Sequence, residues 1–460
     1  MFAVRPPFAV PALRPWRRLA LAAVALLLAS GCDGRQPVTC RGCNVVLLLV
    51  DTLRADHLSS YGYDRQTTPF LDAFARSNVL FLNARSQSAC TFPSVNSLLT
   101  SRHIFDFLDP STRPGIPDDV PYLPALLRRH GYATAAVSAS PIVRNTPSEH
   151  NLKGGFGRGF DHFDESCKWL YGNCVNRVAG QLLEGMGEPF FLYLHYMEPH
   201  DPYRAEASVF GRFVEGYEGR YPSVAKGDPN PLRQMLDDGR EIDPSDLEYL
   251  ISRYDEEILG VDAHLGAFLQ QLEERGVAER TIVIVASDHG EAFLEHDLLK
   301  HCRGLYEPLT RVPLMMRIPA IDGPLVRRTW VENLDLVPTV LDYLGLPAED
   351  FAGVSLRPLI ETGTPPGKVA RSSMGSWRSV NDDRFKLLWR LNTRDYLLFD
   401  LVADPAESRN LLRQERAALR HLRRELERWM AQTEAGVPES ERARQAEEIE
   451  DELRALGYLN

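Results

Sequence analysis

Neither a Walker loop nor a dinucleotide-binding glycine pattern occurs in the 460 residues, and no segment repeats. Nucleotide cradles of those two kinds and solenoid folds are therefore excluded. Apolar runs long enough to span a bilayer are missing after residue 32, which argues against several membrane spans. Positive charge is also short: 52 Lys and Arg stand against 63 Asp and Glu, a formal −11. Four of the arginines lie in the first 31 residues, which hold no acid, so removing that segment takes −11 to −15. Such an acidic body is unsuited to nucleic acid as a general partner. What is present is a foldable composition, 44% hydrophobic and 25% charged, enough for one large domain with a smaller companion.

The first 31 residues stand apart. Arg5, Arg14, Arg17 and Arg18 precede an apolar run from Leu19 to Leu28 and then Ala29-Ser30-Gly31-Cys32, the layout of a secretory signal. The small residues before Cys32 resemble a bacterial lipobox, with Ala29 where leucine is commoner. A plain N-terminal membrane anchor is the alternative, although the run is short for a bilayer. The expectation is a signal peptide over 1–31, a lipidated Cys32 and a linker over 32–43. The body is then exported and lipid-anchored to the bacterial cell envelope, in the periplasm or at the cell surface. Seven cysteines suit an exported chain. Cys40 and Cys43, and Cys167 and Cys174, are close enough to pair, a redox or zinc CxxC being the other reading of the first two. Cys90 and Cys302 each adjoin a candidate site residue, and their partners are open.

Thr281 to Val285 reads as a buried strand whose C-terminal end delivers Asp288 and His289, where open α/β sheets keep their reactive groups. A carboxylate beside an imidazole suits a hard or borderline divalent cation, with Glu291, His296, Lys300 and His301 close behind; a turn that closes the strand is the plainer reading. Asn44 to Asp51, NVVLLLVD, repeats the pattern as a central parallel strand ending in an acid. In a parallel sheet both tips emerge on one edge, so strands distant in sequence can bring oxygens to one ion. A helix or turn cap is the alternative for Asp51. Pro93 suits the first turn of a helix, which places Thr91 just before its N-terminus. Negative charge is favoured there, so the Thr91 hydroxyl is either a cap or a nucleophile activated by metal.

The segments VDTLRADHLSSYG, TTPFLDAFARSNVLF, CTFPSVNSLLT, HYMEPHDPY, ASDHGE with LEH, LYEPLTRVPL, DLVPTVLDYLGLP and LFDLVADPAESRNL follow in order. Together they resemble the sulfatase family of the alkaline phosphatase superfamily, from Asn44 to about Leu411. The resemblance implies an α/β catalytic domain over 44–370, an alkaline-phosphatase-like sandwich whose mostly parallel central sheet is flanked by helices. A small C-terminal α+β subdomain over 371–430 and a charged helical tail over 431–460 would follow. It places Asp51, Thr91, Asp288 and His289 on a metal, with Thr91 also the nucleophile. His200 matches the histidine that contacts the ester or protonates the leaving oxygen. Lys300 or His301 matches a cationic contact to the anion. His195 is a further candidate, with a structural role as its alternative.

Three departures alter what that resemblance implies. The family's Cys-x-Pro-x-Arg, whose cysteine or serine becomes formylglycine, is here Thr91-x-Pro93-x-Val95, with Cys90 one residue out of register. No formylglycine is expected, and the arginine that orients the nucleophile is replaced by valine. Thr52 stands where the family has the second acid of an Asp-Asp pair, leaving fewer ligands for calcium. A threonine nucleophile among Asp and His ligands is similar to the phosphoryl-transfer branches of the superfamily, typically with zinc or manganese. The expected function is therefore hydrolysis of a sulfate or phosphate ester through Thr91, dependent on zinc, manganese or calcium. Its substrate is a sulfated or phosphorylated small molecule, glycan or lipid headgroup. A phosphoethanolamine or phosphoglycerol transferase acting on envelope lipid or glycan, and a non-catalytic surface binding lipoprotein, are the alternatives.

The remaining chain frames this centre. Tyr122 to His130 reads as a helix and Tyr132 to Val137 as the next strand; Asn151 to Gly159 as a substrate-side loop; 204–245 as an insertion or lid. A long helix is expected over 245–275, a strand from Val312 to Ile318, and a helix after Asp335 as its cap. Two short strands, Phe385 to Trp389 and Tyr396 to Leu401, then precede a charged helix.

Overall fold

The computed structural model describes residues 39–104 and 116–433, apart from 152, 170, 215 and 320. The expected signal segment, Cys32 and all but the first three residues of the tail lie outside the described residues. Within them, no helix is long and apolar enough to cross a membrane.

Strands β1 (Asn44–Val50), β2 (Val79–Arg85), β3 (Ala133–Ser138), β4 (His162–Asp164), β5 (Phe190–Tyr196) and β6 (Thr281–Ser287) come first in the chain. A hairpin of β7 (Ala292–Phe293) and β8 (Leu299–Lys300) follows, then β9 (Arg311–Arg317), β10 (Leu325–Arg327) and β11 (Val331–Glu332). All but the hairpin form one sheet, ordered β10-β2-β9-β6-β1-β5-β3-β4 with β11 against β2. Central β1 pairs in parallel with β5 and β6, and the register sets Val50 level with both Tyr196 and Ser287. Strand β9 runs against both β6 and β2, so β2 again points the same way as β1.

Every residue of β1 is buried, because each face of the sheet is covered. Val46, Leu48 and Val50 pack into one core, with α2 (Gly172–Gly185) and α3 (Pro244–Glu274) supplying Val175, Val178, Tyr254, Ile258 and Leu265. Val45, Leu47 and Leu49 pack into the other, against Val95, Leu98 and Leu99 of α1 (Thr91–Thr100) and Val337, Val340 and Leu341 of α4 (Leu336–Leu344). The two-residue period of the strand thus feeds two layers. Truncating one such residue, Leu48→Ala, removes about 2–5 kcal/mol by transfer and cavity effects. Helix α3 starts where Asp243 accepts the Ser245 N–H, with Pro244 in its first position.

Strands β12 (Ala370–Met374), β13 (Trp377–Asn381), β14 (Phe385–Arg390) and β15 (Asp395–Asp400) form an antiparallel sheet. On it packs α5 (Arg416–Thr433), through Leu422, Leu426, Trp429 and Met430. Sequence patterning finds only β14 and β15, since ARSSM and WRSVN are too polar to read as strands. Their exposed-looking serines are buried by tertiary contact: Ser372 Oγ donates to Ser86 O and the Ser373 N–H to Gln87 O at 2.8 Å. The expected insertion at 204–245 contains a helix, Asn230–Asp237.

Candidate active site

Level strand tips bring the expected acids together. Ligating atoms of Asp51, Asp288 and His289 all lie within 4.8 Å of one another. Each carboxylate has one oxygen held by protein and one left over. Asp51 Oδ2 lies 3.3 Å from His195 Nε2, and Asp288 Oδ1 accepts the N–H groups of His289 at 2.9 Å and Thr52 at 3.2 Å. Asp51 Oδ1 and Asp288 Oδ2 are buried without a hydrogen-bond partner, 3.7 and 3.6 Å from His289 Nε2. His289 Nδ1 is 2.9 Å from the Gly290 carbonyl, which can only accept, so Nδ1 carries the proton and Nε2 presents a lone pair. Two orphaned anionic oxygens and one imidazole lone pair facing a common point fit a divalent cation, since buried unpaired charge is otherwise costly. Burial works to raise the Asp51 carboxyl, yet the hydrogen bond from His195 and the charge of His200 hold it well below its ordinary value. Burial and then the Asp51 charge push Asp288 up.

Thr91 reaches the same point, its Oγ1 3.2 Å from His289 Nε2. The expectation that it precedes the helix needs correcting: Thr91 is the first helical residue, and Cys90, with φ −143° and ψ 146°, is the extended residue before it. Pro93 still lies in the first turn, as its third residue, and the residue before the helix is held by a disulfide. Cys90 is bonded to Cys302, Cα atoms 4.8 Å apart, and the Cys302 N–H donates to Ala89 O at 2.8 Å. The bond ties the residue before Thr91 to the residue after His301. Cys90 Sγ is thereby engaged and not available for oxidation to an aldehyde. The other two pairs join Cys40 to Cys43 and Cys167 to Cys174, as their spacing suggests. Gly290 is needed beside His289 because a Cβ there would fall 2.0 Å from Pro308 O.

Three imidazoles line one side of the centre. The His301 ring lies 4.7 Å from that of His289 and 4.8 Å from that of His200. Buried Glu291 faces His301 Nδ1 at 3.1 Å and accepts the Tyr203 hydroxyl at 3.1 Å. Burial pushes His301 down, with Glu291 opposing. Burial also works against charge on His200, but Asp51, Asp201 and Glu291 outweigh it and raise its pKa. Lys300 is one step outside, with Nζ 3.1 Å from Asp201 Oδ2 and 3.3 Å from Asn230 Oδ1. His195, with Tyr193 on its Nδ1 at 2.8 Å, braces Asp51 and is fully buried.

Several residues lie elsewhere than the spacing alone suggests, or were missed. His296 stacks on Tyr306 at 3.7 Å, away from Thr91, and takes no part in the histidine row. Val95 is sealed in the apolar core of α1, so nothing there replaces a cation. Thr52 follows Asp51 at φ +54°, its buried hydroxyl without a partner. Asp335 accepts the N–H groups of Glu332 and Val354, and its role is in the turn before α4. Sequence reasoning overlooked Asp201 and Trp169. Trp169 is 48% exposed, with its ring 5.3 Å from that of His200.

Residues 43–346 match the family model described as Sulfatase, and residues 295–435 match N-sulphoglucosamine sulphohydrolase, C-terminal. Among curated relatives, N-sulphoglucosamine sulphohydrolase of Homo sapiens is 28% identical over 81% of this chain and 77% of its own. N-acetylglucosamine-6-O-sulfatase of Bacteroides thetaiotaomicron is 24% identical over 85% and 86%. The fold is shared with a structure in complex with its substrate D-glucosamine-2-N,6-O-disulfate, at TM-score 0.69 and 20% identity over 87% of this chain and 99% of that one. It is shared equally with phosphonate monoester hydrolase of Agrobacterium radiobacter, at TM-score 0.69 and 21% identity over 85% and 96%. With the family model spanning well over half of its length, the chain belongs to the sulfatase family of hydrolases.

Proposed function

We propose that this protein hydrolyses a sulfate or phosphate ester through a covalent ester on Thr91, with Asp51, Thr91, Asp288 and His289 holding a divalent cation. The observation that carries the proposal is the point shared by Thr91 Oγ1, His289 Nε2 and two unpartnered carboxylate oxygens. A cation held there supplies the charge that lets Thr91 ionise near neutral pH and that offsets the charge of the anion.

Thr91 Oγ1 then bonds to sulfur or phosphorus as the bond to the leaving oxygen breaks, and the N-terminal turn of α1 favours the negative charge of the transferred group. His200, whose proton is held more tightly by Asp51, Asp201 and Glu291, gives that proton to the departing alkoxide. In the second half a water attacks the same atom, neutral His200 takes its proton, and Thr91 is released. His301 stands between His289 and His200 as the contact to the anion, and Glu291 orients its ring.

The names of the curated relatives favour a sulfate ester. Thr91 favours phosphate: an aldehyde hydrate can shed its anion by breaking its own C–O bond, whereas a threonine ester must be cleared by attack at sulfur or phosphorus, a step ordinary for phosphoryl groups. Exposed Trp169 beside His200 offers a flat apolar face on the leaving-group side, which supports a sugar or aryl alcohol as the leaving group. Three disulfides among the described residues support export.

The test is a panel of aryl sulfates, phosphate monoesters and phosphate diesters with added zinc, manganese or calcium, comparing wild type with Thr91→Ala. Loss of turnover in the variant supports the proposal, and equal turnover removes Thr91 from the reaction. A preference above roughly a hundredfold, about 2.7 kcal/mol, decides the ester class.

A further inference from the structure

A second set of ligating side chains lies outside the Thr91 centre. Glu198, Glu206 and His264 place ligating atoms within 4.8 Å of one another. Rigid elements position them: His264 belongs to α3, and Glu198 follows β5 by two residues. Gly172, which opens α2, donates its N–H to Glu198 Oε1 at 2.6 Å. It also leaves the room that His264 fills, since a Cβ on Gly172 would come within 2.8 Å of the His264 Cβ and Cδ2. Glu206 Oε1 meets His264 Nε2 at 2.6 Å.

Oxygens are left over here as well. Glu198 Oε2 and Glu257 Oε2 are buried with no hydrogen-bond partner, in residues only 7% and 4% exposed. Glu257 sits seven residues before His264, two turns along the same face of α3, and its other oxygen accepts the Arg204 N–H at 2.7 Å. Two carboxylate oxygens buried without a partner, beside a half-buried third acid, are satisfied by a cation.

We propose that Glu198, Glu206 and His264 bind a second divalent cation, of the zinc or manganese kind, with Glu257 balancing its charge. The imidazole argues against calcium and magnesium, which prefer oxygen alone. An ion here fastens the 198–206 loop, which carries His200 and Asp201, to the long helix α3.

The experiment counts ions per chain by mass spectrometry after dialysis of the full-length protein against zinc, and again against manganese. Asp51→Asn with Asp288→Asn disables the Thr91 centre, and Glu198→Gln with His264→Gln disables this one. The first double variant should keep one ion per chain and melt at a higher temperature when metal is added. The second should carry one ion fewer than wild type. Glu206→Gln, at a half-buried position that tolerates exchange, should weaken uptake at least tenfold in the Asp51→Asn, Asp288→Asn background, and it decides the matter if the Glu198 and His264 variant does not fold. A folded Asp51→Asn, Asp288→Asn chain that takes up no ion overturns the proposal, and so does uptake indifferent to Glu206→Gln. The two centres are counted separately, so failure of the Thr91 reading leaves this one standing.

Discussion

Replacing Cys90 and Cys302 together by alanine separates the covalent tether from the chemistry beside it. The bond closes a loop with a sequence separation of 212 residues, the longest of the three disulfide loops among the described residues. In the chain-entropy account a loop of that size stabilises the fold by about 5 kcal/mol, because the unfolded chain regains that freedom when it is cut. Both sulfurs are buried among Ala89, Ala292, Leu305 and Leu309, so alanine avoids burying a hydroxyl, and the small cavity left adds roughly 1 kcal/mol. The hydrogen bond from Cys302 N to Ala89 O survives, which keeps the two segments adjacent but free to shift. A displacement near 1 Å between Thr91 and His301 should lower kcat by roughly ten- to a hundredfold, about 1.4–2.7 kcal/mol. The assay pairs urea unfolding with steady-state kinetics and metal content. Metal content should fall little, because three of the four proposed ligands, Asp51, Asp288 and His289, stand at strand tips the tether does not touch. A variant with an unchanged unfolding midpoint and unchanged kcat refutes the reasoning.

Four other outcomes are expected. The His200 pKa is raised above its ordinary value by Asp51, Asp201 and Glu291, so turnover should fall as pH rises through that raised value; His200→Gln should abolish this limb and be tolerated best with an activated leaving group such as nitrophenol. Chelation should stop turnover and lower the melting temperature by several degrees. Because the Asp288 carboxyl is raised in the fold, its share of metal-free stability is lost as pH rises from about 4 through that raised pKa, and Asp288→Asn should abolish this pH dependence in thermal melts. Trp169→Ala should raise KM about tenfold for a sugar or aryl ester while leaving a methyl ester unaffected, and equal effects on both would remove the ring from substrate binding.

Much of the fold was legible because β1, β5 and β6 are unbroken apolar runs, a pattern that only a doubly covered parallel sheet explains. The meeting of Asp51 with Asp288 followed from that, since parallel strands end on one edge. What stayed hidden depends on distance through space. Nothing in the spacing of Cys90 and Cys302 joins them, and Pro93 fits either the first or the third helical position, so the start of the helix at Thr91 was not legible. Asp201 was lost among prolines, and Trp169 lies in a short loop whose sequence shows no period. Strands β12 and β13 escaped because both carry buried serines, and that of Ser372 is satisfied by the Ser86 carbonyl in the loop that leads to Thr91.

Strand β9 is the one member of the large sheet that runs backwards. A parallel successor to β6 would have carried the chain across a helix to the far edge; the reversed strand lets residues 288–310 stay at the active edge throughout, through His289, Glu291, Lys300, His301 and Cys302. Lengthening or trading that stretch alters what the enzyme grips while both ends remain anchored in the core. Selectivity can therefore diverge here without renegotiating the scaffold, and grafts between relatives are best cut at Ser287 and Arg311.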